Sequence, residues 1–189
     1  VKNLKSLRRL LKRHGVNFAE WGTGYTKTLQ DLMKEIRLGE SVLVVKRGKL
    51  VRQVRHAQVD ITCIIDGVLH RLIEDRQEFS NGALRPREGD RSVSEKIQSG
   101  ESPKAAAKRG IGEELGLDTF TGEGLKPDPN RPRPRRRYKE SAVSYPGLPV
   151  EHIEFLFLWL MCMLSEYFSR EGYVERQKRK TTYFVWRIA

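Results

Sequence analysis

The chain has 189 residues, enough for one domain with extensions and for a hydrophobic core that needs no disulfide or metal staple. Apolar residues make up 38% and charged residues 32%, which excludes a disordered low-hydrophobicity chain and predicts a core under a heavily ionic surface. A formal charge of +12 predicts attraction to nucleic acid, nucleotides or an acidic membrane surface without choosing among them.

The longest apolar run, Phe155 to Leu164, is ten residues, too short for a membrane span and matched to a buried strand. Cys63 and Cys162 each sit in an apolar stretch and are expected to be small buried side chains, which fits a reducing compartment. The basic start, with Glu20 as the first acidic residue, has one trait of an organellar targeting segment but lacks the Ser enrichment, so cytoplasm is the expected location.

Leu4, Leu7, Leu10 and Leu11 recur at helical spacing among Lys and Arg, and predict a basic amphipathic helix over residues 3–14. Leu29, Leu32, Met33 and Ile36 predict a second over residues 26–37, stopped by Gly39. These helices form an expected N-terminal extension, residues 1–40, ahead of a main domain at 41–189. The superficial phosphate-loop look of residues 22–28 fails, because no strand precedes it and Lys27 lacks a Gly immediately before it.

Val- and Ile-rich runs then predict strands at Val42 to Val45, Leu50 to Val54, Val59 to Ile65 and Val68 to Ile73. Asp66-Gly67 between the last two is a two-residue hairpin signal, because the turn needs positive φ. Residues 80–100 lack periodicity and lead to Ser102-Pro103, an N-cap and N1 pair opening a helix to Leu115 with Gly116 as its stop. The Pro content of residues 121–137 predicts a mobile basic loop. Further strands are expected at Val150 to Met163 and Thr181 to Ile188, joined by a helical turn at Met163 to Phe168. Strands on both sides of one central helix indicate a mixed α/β or α+β layer structure rather than an alternating parallel sheet.

Candidate chemistry lies at the central helix. Positions 110, 113 and 114 share one face, and Glu101 precedes the helix, so Glu101, Glu113 and Glu114 are candidate oxygen ligands for Mg²⁺. Spacing alone reads Glu113 and Arg109 as a solvated i,i+4 pair. His14, His56, His70 and His152 have no metal-ligand spacing.

This segment resembles the signature box of the Nudix hydrolases: Gly, five residues, Glu, seven residues, Arg-Glu, an aliphatic residue, any residue, Glu-Glu, any residue, Gly and an aliphatic residue. Glu101, Arg109, Ile111, Glu113, Glu114, Gly116 and Leu117 occupy matching places, and Ser-Gly-Glu-Ser-Pro with Ala105-Ala106 gives the familiar filler. Two places depart: Glu95 stands for the first Gly, and Gly110 for the Glu after the Arg. The resemblance covers about residues 41–189 and implies a mixed sheet flanked by helices. It also implies Mg²⁺ or Mn²⁺ held by Glu101, Glu113 and Glu114, with Arg109 positioning the glutamates, and a nucleoside diphosphate derivative as ligand.

The Gly110 departure removes a metal-binding carboxylate that in the family also assists deprotonation of water, so impaired or lost hydrolysis is expected, with nucleotide binding retained. An active enzyme would need a substitute among Glu95, Glu151 and Glu154, although Glu95 on its own reads as a solvent-exposed loop residue. A Gly110→Glu change is then expected to create or raise hydrolysis. A third reading is an RNA-binding or structural subunit, with Arg133, Arg135, Arg136 and Arg137 as polyanion contacts and the N-terminal helices docking on a protein partner or a second copy.

Overall fold

A computed structural model of the chain describes residues 1–24, 26–87 and 92–189. Helices α1 (Leu4–Arg13) and α2 (Leu29–Leu38) come first, followed by strands β1 (Val42–Lys46), β2 (Lys49–Ile65), β3 (Val68–Phe79), β4 (Leu84–Pro86) and β5 (Val93–Lys96). Helix α3 (Pro103–Leu115) precedes β6 (Lys126–Pro127), β7 (Arg135–Lys139), β8 (Val150–Met161), β9 (Tyr173–Arg176) and β10 (Lys180–Ile188). The fold is thus the expected mixed α+β class, a sheet with flanking helices. No helix among the described residues is long and apolar enough to cross a membrane.

The chain gathers into two compact units, each built from three stretches: residues 1–56, 96–101 and 134–154 in the first, and 57–95, 102–133 and 155–189 in the second. Strands β2, β5 and β8 contribute residues to both. Where two strands were expected between Leu50 and Ile65, β2 is continuous, because residues 55–58 contain no Gly or Pro to break it.

In the first unit, α1 starts with a reciprocal cap in which Asn3 Oδ1 accepts from Ser6 N at 2.9 Å and Ser6 Oγ accepts from Asn3 N at 3.1 Å. Helix α2 begins later than its pattern suggested, because Thr28 and Asp31 cap each other. Leu7, Leu11 and Leu32 are fully buried with Leu50, Val54 and Tyr145 in one cluster, so the N-terminal helices share a core with strand residues. Burying each such Leu contributes about 1.5–3 kcal/mol. Strands β1 and β2 join through Arg47-Gly48, both at positive φ (49° and 78°), a hairpin that the residue before the Gly does not advertise.

Strand β7 pairs antiparallel with β8, Arg135 opposite Glu154 and Lys139 opposite Val150. The expectation of an irregular loop over residues 121–137 is therefore corrected at both ends, since in the second unit Lys126 and Pro127 also pair with Leu158 and Phe157. Pro127 occupies a two-residue strand and Pro134 stands just before β7, places where a missing N–H is tolerated. Likewise β4 and β5 fall inside the aperiodic stretch 80–100, of which residues 88–91 lie outside the described residues.

In the second unit Asp66 and Gly67 adopt φ of 51° and 80° and turn β2 into β3, Ile65 opposite Val68, as expected. Strand β3 pairs with β10, and β10 with β9, a strand too short to reveal itself by alternation. Cys63 is buried, but Cys162 is exposed, contrary to expectation, because it follows the last residue of β8 into a turn.

Candidate functional site

The central helix forms where its capping residues predict. Ser102 Oγ accepts from Ala105 N at 3.1 Å, Pro103 supplies the first turn, and Gly116 ends the helix at φ 68°. Ala106, Ala107, Gly110, Ile111 and Leu115 are its buried residues. Three of those five have the smallest side chains available, which allows close approach of neighbouring backbone.

At Gly110 that approach is tightest. A Cβ there would lie 2.6 Å from Glu95 Cβ and 3.0 Å from Val93 Cγ1, so β5 packs directly on the helix backbone. The expectation that Gly110→Glu supplies a missing carboxylate is corrected accordingly, since this geometry leaves no room for the first atom of that side chain. Glu95 is not the solvent-exposed loop residue it resembled in sequence: it sits on β5, its side chain is 19% exposed, and its Oε1 lies 3.2 Å from Arg109 Nη1.

Arg109 also reaches Glu113 Oε1 at 3.5 Å, one turn along the helix. The Glu113 side chain is 58% exposed. Glu114, its neighbour, is partly buried. Burial first, then the fields of Glu175, Glu95 and Glu74, push its carboxyl well above the usual range, with Lys180 opposing them. Sequence reasoning missed Glu74 on β3 and Glu175 on β9. Each is an acidic residue in a strand without any motif around it, and the pairing of β3 and β9 with β10 brings them into play.

These carboxylates have cationic and amide neighbours of their own. Glu74 accepts from Gln77 Nε2 at 2.6 Å and from Arg87 Nε at 2.9 Å, and Glu175 lies 3.8 Å from Lys180 Nζ. Glu101 belongs to the first unit, where its Oε2 accepts from Gln98 N at 2.9 Å and closes a turn. Among the described residues, no three His, Cys, Asp or Glu side chains form a ready cage for a metal ion.

Glu151 and Glu154, the other candidate substitutes, are engaged in the first unit. Glu151 pairs with Lys46 at 2.7 Å and with Arg136 at 3.4 Å, and hydrogen bonds from Lys46 and Gln53 hold its carboxyl below the usual range. Glu154 is buried and accepts from Arg137 Nε at 2.8 Å. Two of the four candidate polyanion contacts, Arg136 and Arg137, therefore carry carboxylate partners. Arg133 and Arg135 are exposed.

No family model and no curated protein matches the sequence. Solved structures align at low similarity. An Ap4A hydrolase from C. elegans is 18% identical over 57% of this chain and 68% of its own, with a TM-score of 0.34. The T. brucei MERS1 protein in its apo form is 17% identical over 82% of this chain and 58% of its own, with a TM-score of 0.36. The chain thus spans 58–68% of the lengths of these two proteins. At such scores the class of the protein rests on its own strands and helices, a mixed α+β fold.

Proposed function

We propose that this chain is a Nudix-type protein that binds the diphosphate of a nucleoside derivative together with Mg²⁺ or Mn²⁺, and hydrolyses it weakly or not at all. The observation that carries the reading is the arrangement of the box helix, with Glu114 partly buried in the field of Glu175, Glu95 and Glu74 while Glu95 of β5 closes position 110 and meets Arg109 at 3.2 Å. Glu114 and Glu95 are the residues that would hold the cation. Bound there, a divalent cation supplies charge screening for phosphate oxygens and acidifies water.

The same arrangement supports impairment. Glu113 is largely in solvent and tied to Arg109, and Gly110, the residue immediately after that Arg, offers no carboxylate to take a proton from water. Arg109 orients Glu95 and Glu113 by ion pairing, a positioning role. The test is to titrate the protein with Mn²⁺, alone and with non-hydrolysable nucleoside diphosphate analogues, and to assay turnover of a substrate panel. Metal-enhanced nucleotide binding with turnover far below that of a complete box is the expected result. Absence of both metal and nucleotide binding would overturn the reading.

A second reading, polyanion binding, is favoured by one observation in the first unit. Lys5, Arg8, Arg9 and Lys12 of α1 are all exposed, and none has an ion-pair partner among the described residues. Its test is the salt dependence of RNA binding when these four charges are removed.

A further inference from the structure

We infer that Glu95 and Gly110 are the two halves of one compensated exchange, in which the carboxylate missing from the helix has moved to β5. This rests on the functional reading above for its chemical half, but its steric half stands on packing alone. The two departures from the box pattern are reciprocal in kind: a Glu stands where Gly is the rule, and a Gly stands where Glu is the rule. The structure adds that these positions touch. A Cβ at 110 would lie 2.6 Å from Glu95 Cβ and 3.3 Å from Glu95 Cγ, with Val93 Cγ1 at 3.0 Å beside them, so the Glu95 side chain is the nearest obstacle to a side chain at 110.

Sequence distance hides this relation. Fourteen residues separate 95 from 110, and no periodicity links a strand to the helix after it. In space, β5 lays Glu95 over the helix backbone, and the carboxylate then meets Arg109 at 3.2 Å, the residue that immediately precedes the missing glutamate. The exchange conserves the number of carboxylates at the helix and changes the element that bears one of them. It also accounts for a glycine in a helix interior, where Ala would otherwise be better by about 1 kcal/mol of intrinsic propensity.

A mutational cycle tests the steric half. In an ordinary helix Gly110→Ala raises stability. Here it is expected to lower the melting temperature by several degrees, and in the Glu95→Gly background, where only the 3.0 Å contact with Val93 Cγ1 is left, the same change is expected to cost much less. Gly110→Glu alone is expected to cost roughly 10 °C or to prevent folding, and the double variant Glu95→Gly/Gly110→Glu to recover most of the loss. The milder Ala pair keeps the test decisive if Gly110→Glu does not fold. Equal effects of Gly110→Ala in the two backgrounds would overturn the exchange.

Mn²⁺ titration of Glu95→Gln tests the chemical half. With the fold retained, affinity is expected to fall about tenfold or more, as for loss of a ligand or its immediate support, and the double exchange variant to regain it. Unchanged affinity in Glu95→Gln overturns the chemical half while leaving the functional reading standing. If the unmodified protein takes up no Mn²⁺, the functional reading falls and the chemical half with it, whereas the melting cycle still decides the steric half.

Discussion

Glu113 and Glu114 are adjacent in sequence and opposite in circumstance. One extends into solvent with Arg109 as its partner, the other is partly buried in the field of Glu175, Glu95 and Glu74. A pattern that counts both as ligands therefore makes a prediction the environment revises. Glu114→Gln should lower Mn²⁺ affinity about tenfold, whereas Glu113→Gln should leave it nearly unchanged, because a mobile exposed carboxylate loses little by neutralisation. Paired Mn²⁺ titrations of the two variants check this, and equal losses would restore the pattern-based assignment. The box residues were legible because they lie within one short stretch. Glu74 and Glu175 were not, since their approach to Glu114 depends on strand register set far away in sequence, and neither strand position differs from an ordinary solvated one.

The elements of the first unit meet at Glu35 of α2, which is 4% exposed. Its Oε2 accepts from Arg52 at 2.6 Å and from Ser41 Oγ at 2.7 Å, and its Oε1 from Lys27 at 2.7 Å and Lys96 at 2.6 Å. Burial alone would raise this carboxyl, but Arg52, Lys96 and Lys27 outweigh it and hold the group far below its ordinary value of 4.5. A folded pKa depressed below the unfolded one contributes stability that is complete above about pH 4.5 and is lost as pH falls further. Glu35→Gln should cost about 3–5 kcal/mol at neutral pH by stranding the cations, and should flatten the acid limb of the stability curve. Urea melts from pH 7 downward measure both, and an unflattened limb would assign the acid sensitivity elsewhere. The leucine periods of α1 and α2 and the Asp66-Gly67 turn announce themselves in sequence because each is a local pattern. Strand β7 does not, since Arg136 and Arg137 look like a solvated basic run until Glu151 and Glu154 of β8 are placed beside them. A strand built on cross-strand ion pairs carries no apolar alternation to read.

For the molecule as a whole, the +12 charge is unevenly matched. Partners neutralise Arg136 and Arg137, while Lys5, Arg8, Arg9 and Lys12 remain in solvent. Any binding to single-stranded RNA should therefore follow α1 more than β7. Replacing those four α1 residues by Gln should weaken binding and reduce the slope of log K against log salt by up to about 3, at roughly 0.7 for each phosphate no longer neutralised. Fluorescence anisotropy over a salt series measures the slope, and an unchanged slope would clear α1 of the role.

The three-stretch construction of the first unit also governs how the chain emerges during synthesis. Leu7 and Leu11 share their core with Tyr145, Leu148 and Val150, well over a hundred residues downstream. At about 5–20 residues per second, a ribosome leaves the sticky faces of α1 and α2 partly uncovered for on the order of ten seconds before those partners arrive. Completion of this core must wait until β8 begins to emerge, and until then the apolar stripes of α1 and α2 lack their partners.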